Sequence, residues 1–167
     1  MTDIRTVVLL GTSHKYQHPD NPSSAQFRKF VDHVCDTYLI RAIGEEMSTE
    51  VLQQKQILKS ICEIIANSRD LSHKYCDPNN EERSRLGIRG ETDIRQQGFF
   101  GNWDEERIEA AVRESHQIRE IYWLQQLLEL DVWPALFVCG ANHVSVFARL
   151  LTDRGVNVQV EAADWTP

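Results

Sequence analysis

Two uninterrupted apolar runs constrain this 167-residue chain more than any other feature. VVLLGTSH, residues 7–14, and ALFVCGANH, residues 135–143, each begin with residues that are apolar at every position rather than at alternate ones. Alternation marks a strand with one wet face, whereas a continuous short run marks a strand covered on both. Both runs then leave through Gly-x-x-His, with Gly11 and His14 at the first exit and Gly140 and His143 at the second. Two buried strands that deliver imidazoles at their ends call for a sheet with helices on both faces.

The segments between them supply those helices. Ser23 or Ser24 can cap a helix through about Tyr38, with Phe27, Phe30, Val31 and Val34 on one face. A second strand is expected over 39–46. One helix is expected to follow, capped by Ser48 or Thr49, with Val51, Leu58, Ile61, Cys62 and Ile65 as its stripe. A third strand is expected over 72–77, then a short helix between Pro78 and Gly87. Residues 90–104 read as the least regular stretch, a surface loop in which GFFGNW either anchors to the core or forms a lid. Asp104 can cap a long helix over 105–130, its apolar face drawn through Ile108, Ala111, Val112, Ile118, Ile121, Tyr122, Leu124, Gln125 and Leu128. Pro134 precedes the strand over 135–139, a helix over 144–153 ends at Gly155, and VNVQVEA alternates as an edge strand. Strands alternating with helices predict a single α/β domain over 1–167, three-layered around a mainly parallel sheet.

Composition narrows the function. A net charge of -7 and a pI near 5.3, with no basic run, argue against nucleic-acid binding. Asp3 and Arg5 precede an apolar run too short for a signal peptide or a membrane span, so a cytoplasmic protein with no membrane partner is expected. Cys35, Cys62, Cys76 and Cys139 form no Cys-x-x-Cys pair and read as reduced, buried small hydrophobes. Cys139, at the end of an apolar strand, lacks the exposure that a nucleophilic thiolate needs.

Open parallel sheets bind ligands beyond the carboxyl ends of their strands. That edge is expected to gather His14, a glutamate from Glu45 or Glu46, Asp77 and His143. Imidazole and carboxylate are ligands for zinc, manganese or iron, and the same groups serve as general acid and base. A carboxylate there needs a cation beside it, for which Arg119 or Arg113 on the long helix qualifies. One glutamate of the pair is expected only to favour a helix start. His18, His33, His73 and His116 read as surface or packing residues.

The paired motifs GTSH and GANH, with IGEEMS and IREIYWLQQL between them, resemble the TraB/PrgY and TIKI group, within the assemblage that includes ChaN-like proteins and erythromycin esterases. The resemblance spans nearly the whole chain and implies a site formed by His14, Glu45 or Glu46, Arg119 and His143. It implies a hydrolase in which His14, His143, Glu46 and Asp77 hold a divalent ion, manganese, zinc, cobalt or iron, and in which Glu45 or Glu46 and Arg119 act in catalysis. Esterase-like members imply instead water activation by histidine and glutamate without metal. A noncatalytic cleft for a small ligand or peptide is the third expectation. The expected partners are a small-molecule or peptide substrate and, through the VNVQVEA edge, a second copy of the chain.

Overall fold

The computed structural model describes residues 4–167; Asp3 lies outside them. Five strands, β1 (Thr6–Thr12), β2 (Ala42–Glu45), β3 (Ser72–Tyr75), β4 (Ala135–Gly140) and β5 (Asn157–Trp165), form one sheet in the order β3-β2-β4-β1-β5. Every pairing is parallel. The two apolar runs lie side by side at its centre, with Gly11 opposite Cys139 and Thr12 opposite Gly140, so both exits stand at one level.

Helices cover both faces. Val8 and Leu10 of β1 and Leu136 and Val138 of β4 pack against α1 (Ser24–Tyr38) and α3 (Ile61–Ser68). Val7, Leu9 and Phe137 turn the other way, toward α6 (Glu105–Leu130) and α7 (Val144–Asp153). Because alternate residues of each central strand are sealed by a different helical layer, neither strand shows polar alternation. The expected three-layer α/β fold is the one found.

The order of strands creates a cleft. From β1 the chain passes through α1 to β2 on one side; from β4 it passes through α7 to β5 on the other. Neighbouring strands whose connections depart in opposite directions leave an opening at their carboxyl ends. His14 and His143 stand at that opening.

Four expectations are corrected. The helix expected from Ser48 to Ser68 is broken into α2 (Thr49–Gln54) and α3. Ser60 starts α3 by accepting the Glu63 N–H at 3.0 Å, and Leu58, placed in the stripe, is 96% exposed. β2 begins at Ala42, after Leu39 closes α1 in a left-handed conformation (φ 51°). Residues 90–104 are not a loop: Glu91–Phe100 forms α5, which packs on α6 through Ile94 and leaves Phe99 and Phe100 exposed. On α6 the buried stripe runs through Trp123, Leu124 and Leu127, while Ile121 is 40% exposed. The remaining short helix, α4 (Asn80–Leu86), has a capping box between Asn79 and Glu82 and ends at Gly87 as expected. Among the described residues, no helix is long and apolar enough to cross a membrane.

Candidate active site

Each Gly-x-x-His exit folds into a single turn of 3-10 helix, His14–Gln17 after β1 and Ala141–His143 after β4. The glycines are needed for space rather than for left-handed backbone. A Cβ on Gly11 would fall 2.0 Å from the Ala163 carbonyl oxygen, where the irregular register of β5 crowds β1. One on Gly140 would stand 3.3 Å from Glu46 Oε2 and 3.4 Å from His14 Nε2. Gly140 therefore keeps the centre of the site clear.

Glu46 occupies that centre. It follows β2, its N–H bonds to the Val138 carbonyl at 2.8 Å, and its side chain turns toward β4. Oε2 accepts the Gly140 N–H at 2.7 Å and faces His14 Nε2 at 3.6 Å; Oε1 accepts Arg119 Nη2 at 2.7 Å and lies 3.7 Å from His143 Nε2. Burial pushes the Glu46 carboxyl up, but His14, Arg119 and His143 outweigh it and hold the pKa at about 2. Reciprocally, Glu46 raises the pKa of His14 above its ordinary value, against the lowering effect of burial.

Arg119, and not the exposed Arg113, supplies the cation. Asp77 fixes it, accepting Nε at 3.1 Å and Nη2 at 2.8 Å with the same oxygen that accepts the Trp123 indole N–H at 3.0 Å. The other Asp77 oxygen accepts from Arg83. Burial disfavours the charge on Arg119, yet the two carboxylates raise its pKa. Asp77 thus acts as the anchor of the guanidinium.

Both imidazoles are oriented from behind. Gln17, fully buried, donates Nε2 to Glu45 at 2.9 Å, and an ionised carboxylate only accepts, so the amide oxygen is left to face His14 Nδ1 at 3.0 Å. The Glu120 carboxylate faces His143 Nδ1 at 2.7 Å. Each ring therefore carries its Nδ1 hydrogen outward and turns Nε2 toward Glu46. His143 is buried against Trp123 and His116, whereas the His14 side chain is 43% exposed and lines an opening of about 150 Å³.

Glu45 belongs to a different cluster. Completely buried, it accepts Ser60 Oγ at 2.5 Å, His73 Nε2 at 2.7 Å and Gln17. Neither glutamate is a solvated helix start, so that expectation is corrected for both. His73, expected as a surface or packing residue, is of the packing kind, set against Glu45 and Tyr75. Gln17, Trp123 and Arg83 were not singled out from the sequence, and Glu120, which reads there as an ordinary surface charge, is buried. Glu120 carried a signal: with Trp123, Leu124 and Leu127 it repeats at helical spacing, which puts a carboxylate on the buried stripe. Gln17 carried a weaker one, three residues after His14.

Cys139, Cys35, Cys62 and Cys76 are all buried free thiols, and burial pushes the Cys139 pKa well above its ordinary value. A thiolate nucleophile does not fit. A divalent ion fits the donors only in part. Two Nε2 atoms face one carboxylate, but the Arg119 guanidinium and the Gly140 amide already hold both Glu46 oxygens. Among the described residues, no three His, Cys, Asp or Glu side chains draw together closely enough to hold an ion. No family model, curated protein or solved structure matches the chain.

Proposed function

We propose that this protein is a hydrolase in which His14 activates water by proton transfer, acting on a small-molecule or peptide substrate without a bound metal ion. One observation carries the reading: two imidazoles from distant strand ends present Nε2 to a common carboxylate, each with Nδ1 tied to an acceptor behind it. A general base must offer a lone pair to the reacting side. His14 Nε2 does so at the open side of the cleft; His143, buried, does not.

In this mechanism His14 takes a proton from water as the water attacks a carbonyl or phosphoryl centre. The imidazolium so formed faces Glu46, and Gln17 steadies its Nδ1–H. Arg119 spends Nε and Nη2 on Asp77 and Glu46, which leaves Nη1 for the negative charge that develops on the attacked group. His14 then returns the proton to the leaving group. His143, held by Glu120, closes the buried side of the site beside Glu46 and takes no proton in this mechanism.

A divalent ion on His14, His143 and Glu46 is a second reading, favoured by the two Nε2 atoms that share one carboxylate. Such an ion supplies Lewis acidity to the attacked group. It requires Arg119 to leave Oε1. The test is an ester, peptide and phosphodiester panel run with and without exhaustive chelation, together with metal analysis of the purified protein. Activity that survives chelation and falls about 10²- to 10⁴-fold in His14→Ala is the expected result. Activity abolished by chelation and restored by manganese, zinc, cobalt or iron would transfer the mechanism to the ion. Ligand binding without turnover anywhere in the panel would leave the cleft a binding site only.

A further inference from the structure

The interruption between α2 and α3 places a lysine over the cleft. α2 ends at Gln54 with Lys55 as its cap, Gln56 adopts left-handed backbone (φ 56°), and the chain turns away to restart at Ser60. Lys55, itself exposed, lines the same opening of about 150 Å³ as His14, Glu46, Asp77, Arg83 and Arg119.

The charges around that opening do not balance. Glu46 is bound by Arg119, and Asp77 by both Arg119 and Arg83, so each carboxylate is already compensated. Lys55 has no carboxylate partner among the described residues. Its Nζ rests 3.3 Å from His18 Nε2. Burial, and then the charge of Lys55, lower the pKa of His18 and keep the ring a neutral acceptor. The lysine is thus positioned without being neutralised. Three permanent cations meet two carboxylates in a molecule whose net charge is -7. A local positive excess within an acidic protein draws anions to one place and leaves the rest of the surface repelling them. The opening, about 150 Å³, is large enough to admit a phosphate or carboxylate group.

We infer that the cleft receives a small oxyanion, a phosphate or carboxylate group, and that Lys55 captures it with the free N–H groups of Arg83 and Arg119. The inference rests on the hydrolase reading only in calling that anion part of the substrate. It names a substrate class: molecules carrying a phosphate or carboxylate close to the bond that is cleaved. Lys55 then determines specificity and takes no part in proton transfer.

Calorimetric titration with inorganic phosphate and, separately, with acetate tests this on the intact chain. One equivalent of at least one anion should bind, and the stronger of the two identifies the group. Lys55→Gln should weaken that binding about tenfold or more, as expected for losing a hydrogen bond to a charged group. Lys55→Arg should restore most of it. Lys59→Gln, four residues away on a lysine paired with Glu63, should change nothing. Binding of neither anion to the unaltered protein, or equal binding to Lys55→Gln, would overturn the inference. If phosphate binds through Lys55 while no substrate is turned over, the hydrolase reading falls and the anion site stands. If hydrolysis is found and neither anion binds, the reverse holds.

Discussion

Glu45 and Glu46 are one peptide bond apart, and both are buried, at 0% and 5% exposure. Successive side chains at the end of a strand point to opposite sides, so Glu45 turns toward the start of α3 and Glu46 toward α6. Glu45 meets a hydroxyl, an amide and an imidazole. Glu46 meets a guanidinium, a backbone amide and two imidazole nitrogens just beyond hydrogen-bonding reach. The first is a closed set, fully buried, with both oxygens accepting hydrogen bonds that hold the fold. The second faces an opening, and its neighbours are the groups that chemistry can use. Identical residue types at adjacent positions therefore receive different roles from the layer each one faces.

The contrast is sharpest in turnover. On any substrate that the protein hydrolyses, Glu46→Gln should lower kcat/KM by about 10³-fold, because the charge that stabilises the His14 imidazolium is removed. Glu45→Gln should stay within about tenfold of the unaltered protein, since its effect reaches His14 only through Gln17. Comparable losses in the two variants would break the distinction.

Stability should reverse the order. Glu45→Ala strands three buried donors and should lower the unfolding free energy by about 3 kcal/mol or more, read from urea denaturation. Glu46→Gln leaves Arg119 paired with Asp77 and keeps an acceptor for the Gly140 N–H, so a loss of about 1 kcal/mol is expected. A larger loss for Glu46→Gln than for Glu45→Ala would mean that the cleft, rather than the sealed cluster, holds the strand ends together.

Gln17 joins the two clusters, and its amide converts an acceptor at Glu45 into an acceptor at His14. Gln17→Leu keeps the apolar volume and deletes the relay. It should reduce kcat about 10- to 100-fold with KM little changed, because the ring loses its orientation and not its contact with substrate. Gln17→Glu offers a carboxylate to both partners, and mutual repulsion with Glu45 should make it the less stable variant. A fall in KM-dependent binding with kcat intact would show that Gln17 shapes the pocket instead.

Much of this was readable beforehand, and the reasons are physical. The continuous runs at Val7–Leu10 and in β4 specify strands sealed on both faces, and from there a parallel sheet with imidazoles at its edge follows. A cation on the long helix, Arg119 or Arg113, could be named because a buried carboxylate requires one; the choice of Arg119 came from the structure. What escaped were side chains that act through others. Gln17 carries no periodicity of its own, Glu120 shares the buried stripe of α6 without the sequence saying what it faces, and the roles both take depend on which atom of a neighbour they meet. Choosing between Glu45 and Glu46 required the register of β2 against β4, since a shift of one residue exchanges their faces. The break at Lys55 escaped because an apolar stripe continued through it in the sequence, while Ser60, reading as an ordinary helix residue, served as a cap.

The last difference between the clusters is in pH dependence. Glu46 raises the pKa of His14, so the folded protein holds that proton more tightly than the unfolded chain does. The stabilisation is complete below the ordinary histidine value of 6.5 and disappears as pH rises through the raised value. Glu46 is depressed from 4.5 to about 2, so its share is present above 4.5 and is lost as pH falls toward 2. Between 4.5 and 6.5 both contributions are in place. A general base must be unprotonated, so kcat/KM should instead climb with pH through the raised His14 value and level off above it. Activity and this part of the stability consequently pull in opposite directions. The imidazole is 43% exposed and solvent screens the pair, so the stability change should be only a few tenths of a kcal/mol, while the shift itself is directly visible by NMR titration of His14. In Glu46→Gln the titration midpoint should drop, because the carboxylate that raised it is gone and burial is left to lower it. Glu45→Gln should move it far less, and an equal shift in the two variants would place both carboxylates at His14 and erase the distinction between the sealed and the open cluster.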